Sequence, residues 1–268
     1  MLEIFQYDFM VNAMLASILA SIACGIIGTY IVIKRLVFLS GGIAHSAYGG
    51  IGLGYLLSFN PILGAVGSSI LGAVFVSKMR KNRSENEDTL IGIIWAFGMA
   101  IGVLFIGLSP GYVPDLMSYL FGNILTVSKT EILLMAFADF IIIFLVILFF
   151  KEFRSITFDE EYSKTAGLNV DFYYLILFIL IAVTIVLLIK LVGIILVVAL
   201  LTIPAAISKF FAKSLSQMMF YSILFGLIFT LVGLLFSYYL NLPSGSAIIV
   251  LSVFGYFIAY GFKKLSQK

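Results

Sequence analysis

The chain has 268 residues, 62% of them hydrophobic and 11% charged, with a mean hydropathy of +1.18 and a formal net charge of +3. Soluble domains are about half apolar and about a quarter charged, so this composition excludes a soluble enzyme and describes an integral membrane protein with no nucleic-acid partner. The single cysteine, Cys24, excludes an intramolecular disulfide and a cysteine-cluster metal site.

Ahead of the first apolar run stand Glu3 and Asp8 without any lysine or arginine, the opposite of a secretory n-region, so no signal peptide is expected. Apolar runs then recur, each long enough as a helix to cross a hydrocarbon core of roughly 30 Å. Closed barrels would instead show alternating segments of about ten residues. The runs predict spans at about 11–33, 37–58, 61–78, 89–108, 130–150, 173–190, 191–208, 218–240 and 247–262. This is an all-α polytopic membrane protein with nine transmembrane helices, or eight if 173–190 and 191–208 form one interrupted helix around Lys190-Leu191-Val192-Gly193.

Cys24, in the first run, reads as packing. The second run holds the only histidine, His45, within Gly41-Gly42-Ile43-Ala44-His45-Ser46-Ala47-Tyr48-Gly49-Gly50. An imidazole is costly in lipid and a good ligand for a transition metal, so a place on an ion's path competes with a histidine satisfied by a backbone carbonyl between helices. The glycines at 41, 42, 49, 50, 52 and 54 read as a surface where helices approach closely.

Two hydrophilic stretches follow, Lys78 to Asp88 and Lys151 to Asp171, neither large enough for a folded domain. Residues 1–268 therefore read as a single transmembrane domain. The segment 111–123 is too short to span and too apolar for an ordinary loop. It predicts a short interfacial or re-entrant helix, with Pro114 at its entry and Asp115 in its first turn. Within 151–171, the run from Asp159 to Val170 predicts a short amphipathic helix ending near Gly167, which by pattern alone serves equally as a solvated connector. Near the end, Asn241, Pro243 and Gly245 break a helix at a membrane edge.

Threading nine spans alternately puts 14 of the 16 basic residues on one face, leaving Lys129 and Lys190 on the other. The positive-inside rule makes that face cytoplasmic, with the N-terminus outside and the C-terminus cytoplasmic. Dropping one full crossing before Lys209 would move it and Lys213 outside, so charge favours nine.

No Gly-x-x-x-x-Gly-Lys-Ser/Thr phosphate loop and no His-Glu-x-x-His pair occurs, so the chain is not expected to be an enzyme. Any ATP hydrolysis belongs to another chain.

Five blocks, in order, resemble the permease subunit of the ABC transporters that import manganese, zinc or iron. They are Lys34-Arg35-Leu36 leading into the histidine helix, Asp88-Thr89-Leu90-Ile91-Gly92, Asp115-Leu116-Met117-Ser118-Tyr119-Leu120-Phe121-Gly122, Leu191 through Ala206, and Ser237 through Gly245. The resemblance covers nearly the whole chain. It implies a multi-pass permease of a prokaryotic cell membrane, paired with a second copy of itself around a central pathway. It also implies a cytoplasmic ABC ATPase dimer and an extracytoplasmic metal-binding protein as partners, no cofactor bound by this chain, and a transported divalent ion. The loop at 151–171 becomes a coupling helix, with Glu160, Glu161, Ala166 and Gly167 at the ATPase contact.

Two positions depart from the family pattern. Relatives carry an aspartate four residues before the histidine, on the same helix face, where this chain has Gly41. The aspartate they carry two residues before the Pro-x-Gly turn is Asn241 here. A pathway of His45 and Asn241 would hold a hard dication such as Mn²⁺ less well, which ranks zinc ahead of manganese and iron. Compensation by Asp115 ranks second, and a non-metal or chelated substrate third. Outside the family reading stand a secondary transporter or channel without ATPases, against which the near absence of acids in the spans speaks, and a structural or assembly membrane protein.

Overall fold

The computed structural model describes residues 7–81, 87–110 and 122–266. The helix expected at 111–123, with Pro114 and Asp115, lies outside them except for its last two residues. Every regular element among the described residues is helical: α1 (Asp8–Ile33), α2 (Val37–Leu56), α3 (Pro61–Lys81), α4 (Glu87–Gly107), a 3-10 turn (Ile124–Thr126), α5 (Lys129–Leu148), α6 (Phe150–Phe158), α7 (Glu160–Thr165), α8 (Val170–Phe211), α9 (Leu215–Leu240) and α10 (Ser244–Ser266).

The helix starts follow from local chemistry. Asn60 caps α3 by accepting from the Ile62 amide at 3.0 Å, and Pro61 occupies the first helical position, where its missing N–H costs nothing. A reciprocal capping box opens α5: the Ser128 amide donates to Glu131 at 2.9 Å while the Glu131 amide donates to Ser128 Oγ at 3.3 Å. Ser214 caps α9 by accepting from the Gln217 amide, while Gln217 Oε1 reaches one residue further back to accept from the Lys213 amide.

Eight stretches among the described residues are long and apolar enough to cross a membrane: α1, α3, α4, α5, two separate stretches of α8, α9 and α10. The pair 173–190 and 191–208, which sequence left open, gives two such stretches, Val170–Ile189 and Val192–Phe211. At the start of the second, Gly193 has φ 79° and ψ 158°, outside the helical region, so α8 is kinked there. The ninth expected span is α2. Its 20 residues are long enough, but six glycines, Ser40, His45 and Ser46 dilute its apolar character.

The contacts divide the chain into two compact units. One lies within Met1–Ile33, Met117–Leu145 and Leu188–Lys268. In it α1 packs along α9, and Gly25 brings them so close that a Cβ there would lie 2.7 Å from the Ile223 amide. Ser21 Oγ donates to the Ser17 carbonyl and sits 3.2 Å from Thr230 Oγ1, a polar link between the two helices. The second stretch of α8, α9 and α10 share a cluster of Ile207, Phe229 and Ala259, with Phe225, Leu251 and Tyr256 against it. Cys24 is buried in α1, as its packing reading required.

The other unit lies within Lys34–Leu116 and Val146–Leu187. Here α2 packs on both α3 and α4, and both contacts are made by glycines. Gly50 and Gly64 face each other so that a Cβ on either would strike the other's carbonyl. Across the second contact, Cβ atoms on Gly98 and Gly102 of α4 would lie 2.7 Å from Ser46 Cα and from the Tyr48 carbonyl oxygen of α2. Small residues replace interdigitating side chains as the means of association.

Candidate functional site

The close approach of α2 and α4 sets His45 against the second helix. A Cβ on Gly98 would lie 2.8 Å from the His45 carbonyl oxygen, so only a glycine there lets α4 come this near. Trp95 and Met99, four residues apart, share one face of α4 and meet the imidazole together. His45 Nδ1 is 3.1 Å from Met99 Sδ, and the imidazole stacks on the Trp95 indole with centroids 4.2 Å apart and planes inclined by 13°. His45 and Met99 are half-buried, while Trp95 retains 36% of its exposure.

The same indole bears on the first departure. A Cβ at Gly41 would lie 3.0 Å from Trp95 Cζ3, tight enough that the ring would have to give by a few tenths of an ångström to admit a side chain one turn before His45. Ser46, adjacent to the histidine, lines an apolar groove of about 720 Å³ shared by α2, α3 and α4, with Leu53, Phe75, Phe97 and Ile101 among its walls.

Asn241 belongs to the other unit, where its backbone has a definite task. It terminates α9 in the left-handed conformation, with φ 53° and ψ 43°, which asparagine tolerates better than most L residues. The Leu242 amide donates to the Ser237 carbonyl at 3.0 Å, and Ser237 Oγ donates back to the Leu242 carbonyl at 2.6 Å, closing the turn. Its side chain is exposed. Asp115 lies outside the described residues, and among those described no three His, Cys, Asp or Glu side chains converge as a metal site.

The predicted short helix in 151–171 is α7. Asp159 caps it by accepting from the Tyr162 amide at 2.8 Å, and Glu160 pairs with Lys164 at 2.8 Å. It ends at Gly167, φ 83°, where the Gly167 amide reaches the Lys164 carbonyl at 3.1 Å and the Leu168 amide the Ser163 carbonyl at 3.0 Å. That double closure is a Schellman stop. Underneath, Ser155 Oγ and Ser163 Oγ are 2.7 Å apart, tying α7 to α6, and the Tyr174 hydroxyl donates to the Ile156 carbonyl at 3.2 Å. Glu161, Ala166 and Gly167 are exposed, and Glu160 is half-buried. Phe158 and Tyr162, each 64% exposed, border a cavity of about 420 Å³ together with Lys151 and Arg154. Large aromatics left uncovered beside basic side chains suit a protein contact.

Two residues escape a sequence reading, and a third was legible but passed over. Trp95 and Met99 carry no motif, and only the packing of α4 on α2 joins them to His45. Asp139 was visible as an acid inside the apolar run of α5; it is 7% exposed, and Oδ2 is buried without a hydrogen-bond partner among the described residues.

The sequence profile of the ABC 3 transport family matches residues 6–263. An uncharacterized membrane protein of Synechocystis is 48% identical over 264 residues, covering 98% of this chain and 94% of its own. The manganese transport system membrane protein MntC of Listeria monocytogenes is 33% identical over 257 residues, covering 96% of this chain and 91% of its own. Among solved structures, PsaBC from Streptococcus pneumoniae in complex with Fab superposes with a TM-score of 0.86 at 31% identity, over 96% of this chain and 92% of that one. An inward-facing structure of a metal-chelate type ABC transporter, at 14% identity and a TM-score of 0.70, shares the fold.

Proposed function

The chain belongs to the ABC 3 transport family, and from that premise we propose that it is the membrane-spanning permease of an ATP-driven metal ion importer, with zinc ahead of manganese or iron as cargo. The observation that carries this reading is the chain's only imidazole, His45, held at the contact of α2 and α4 with a second donor atom 3.1 Å away. Neutral imidazole suits Zn²⁺, and weak holding suits a path that must release its ion. One relative, at 33% identity, is named for manganese transport. The case for zinc rests on this chain's own residues, Gly41 and Asn241, where the family pattern has carboxylates.

The remaining parts follow from the same reading. Residues 1–268 act as one permease domain, N-terminus outside and C-terminus cytoplasmic, and two copies flank the path so that two imidazoles face it. An extracytoplasmic metal-binding protein delivers the ion, and a cytoplasmic ATPase dimer supplies the hydrolysis this chain has no motif for. The ATPase docks on α7, where Glu161, Ala166 and Gly167 are exposed beside Phe158 and Tyr162. Its closure reaches the spans because α7 is bonded to α6 through Ser155 and Ser163, which lets the hairpin move as a rigid lever.

Uptake of Zn²⁺, Mn²⁺ and Fe²⁺ into vesicles reconstituted with the partner subunits tests the path. His45→Ala is expected to lower uptake of the preferred metal at least about tenfold, the loss typical of a disturbed metal ligand; equal rates for both proteins with every metal would sink the assignment. For the docking surface, Glu161→Arg combined with Gly167→Leu should abolish retention of the ATPase on affinity-purified permease. Asp139 favours one second reading, an ion-coupled carrier, because such carriers place acids inside their spans. Co-purification of a stable ATPase with uptake that stops without ATP excludes it.

A further inference from the structure

His45 and Met99 offer two different donors to one point. His45 Nδ1 and Met99 Sδ are 3.1 Å apart, a contact in which the Nδ1–H tautomer would donate to the thioether, and the Trp95 stack holds the ring plane so that nitrogen and sulfur keep this mutual orientation. Zinc bonds to imidazole nitrogen and to thiolate sulfur are about 2.0 and about 2.3 Å long, and at the tetrahedral angle such lengths hold their donors about 3.5 Å apart. Opening the observed pair by about 0.4 Å, a small movement for an unbranched methionine, therefore seats one ion between them.

Resting on the reading of His45 as part of the ion's path, we infer that His45 Nδ1 and Met99 Sδ form a soft two-donor site that discriminates a zinc-like cation from Mn²⁺, with Trp95 as its positioning residue. A thioether accepts a borderline or soft metal and offers a hard, oxygen-seeking dication almost nothing. Two neutral donors hold the ion loosely, in keeping with release. When the ion is held, the ring proton resides on Nε2, so loading changes the tautomer and moves no net charge out of the site. Gly41 belongs to the same device: the indole lies flat on the imidazole, and a side chain at position 41 would press on the ring that orients the histidine.

Trp95 is the only tryptophan in the chain, so its emission reports on the site directly. The full-length protein in lipid nanodiscs is titrated with Zn²⁺ and with Mn²⁺, following Trp95 fluorescence, with calorimetry as an independent readout. The wild type should bind Zn²⁺ at least about tenfold more tightly than Mn²⁺. Met99→Leu, close in volume but without sulfur, should cut that ratio at least threefold by weakening Zn²⁺ alone, leaving the Mn²⁺ constant and the thermal unfolding midpoint unchanged. His45→Gln should lose both ions. If Met99→Leu keeps the wild-type ratio while His45→Gln loses binding, the two-donor site is wrong and the histidine path stands. If both variants bind both ions as the wild type does, the path falls with it.

Discussion

The two units hold their helices together by different balances of backbone and side-chain contact. Where α2 meets α3 and α4, backbone lies against backbone: Gly50 on Gly64, Gly98 on Ser46, Gly102 on Tyr48. Where α1 meets α9, and α9 meets α10, glycines also bring the helices close, at Gly25 and Gly233, but side chains share the contact, through the Ser21 and Thr230 hydroxyls and the Ile207, Phe229 and Ala259 cluster. Lipid tails are as apolar as leucine, so neither contact gains from expelling water, and what remains is packing and hydrogen bonding. Side-chain contacts can repack; backbone contacts have nothing to move. The glycine contact is therefore the less tolerant of the two, and it is also the one that carries the only imidazole.

The contrast breaks most visibly at Gly50. Gly50→Val should cost more than about 3 kcal/mol, because its Cβ falls on the Gly64 carbonyl and neither helix can retreat without parting; loss of monodisperse protein in size-exclusion chromatography reads it. Next comes Gly41→Asp, which meets a side chain and not backbone. Alone it should lower uptake by displacing Trp95, whereas Gly41→Asp with Trp95→Leu should regain a carboxylate one turn from His45 and tighten Mn²⁺ binding at least about tenfold in calorimetric titration. Recovery by the single substitution would show that the indole yields freely and is no barrier. The smallest effect belongs to the side-chain contact. Thr230→Val should cost about 0.6 kcal/mol in thermal or denaturant unfolding, the usual worth of a hydroxyl link between membrane helices, with uptake unchanged.

Much of the fold was legible because single-helix properties decide it. The runs at 11–33, 61–78 and 130–150 anticipate α1, α3 and α5 within a few residues, since length and hydropathy alone determine whether a helix crosses lipid. The turn at Gly167 was equally legible, being written in local chemistry. The glycines of α2 were readable as a packing surface, yet nothing in their spacing says that α4 and α3 are the neighbours. For that reason His45 was a candidate while Trp95 and Met99, about fifty residues away, were not: pairing between helices is a tertiary choice that periodicity within one helix leaves open. Asn241 shows the reverse limit. Sequence weighed it as a would-be ligand, and its left-handed backbone gives an asparagine there a second reason to exist.

Gly167 carries one more consequence. It sits at φ 83° with nothing within 4 Å of where a Cβ would be, so what restricts this position is the hand of the residue and not its bulk. Uncrowded surface is usually free to drift, but here an L side chain is disfavoured by chirality although there is room for it, and a D residue would satisfy both conditions. Position 167 can therefore be tightly restricted in sequence although a side chain there would begin in open space.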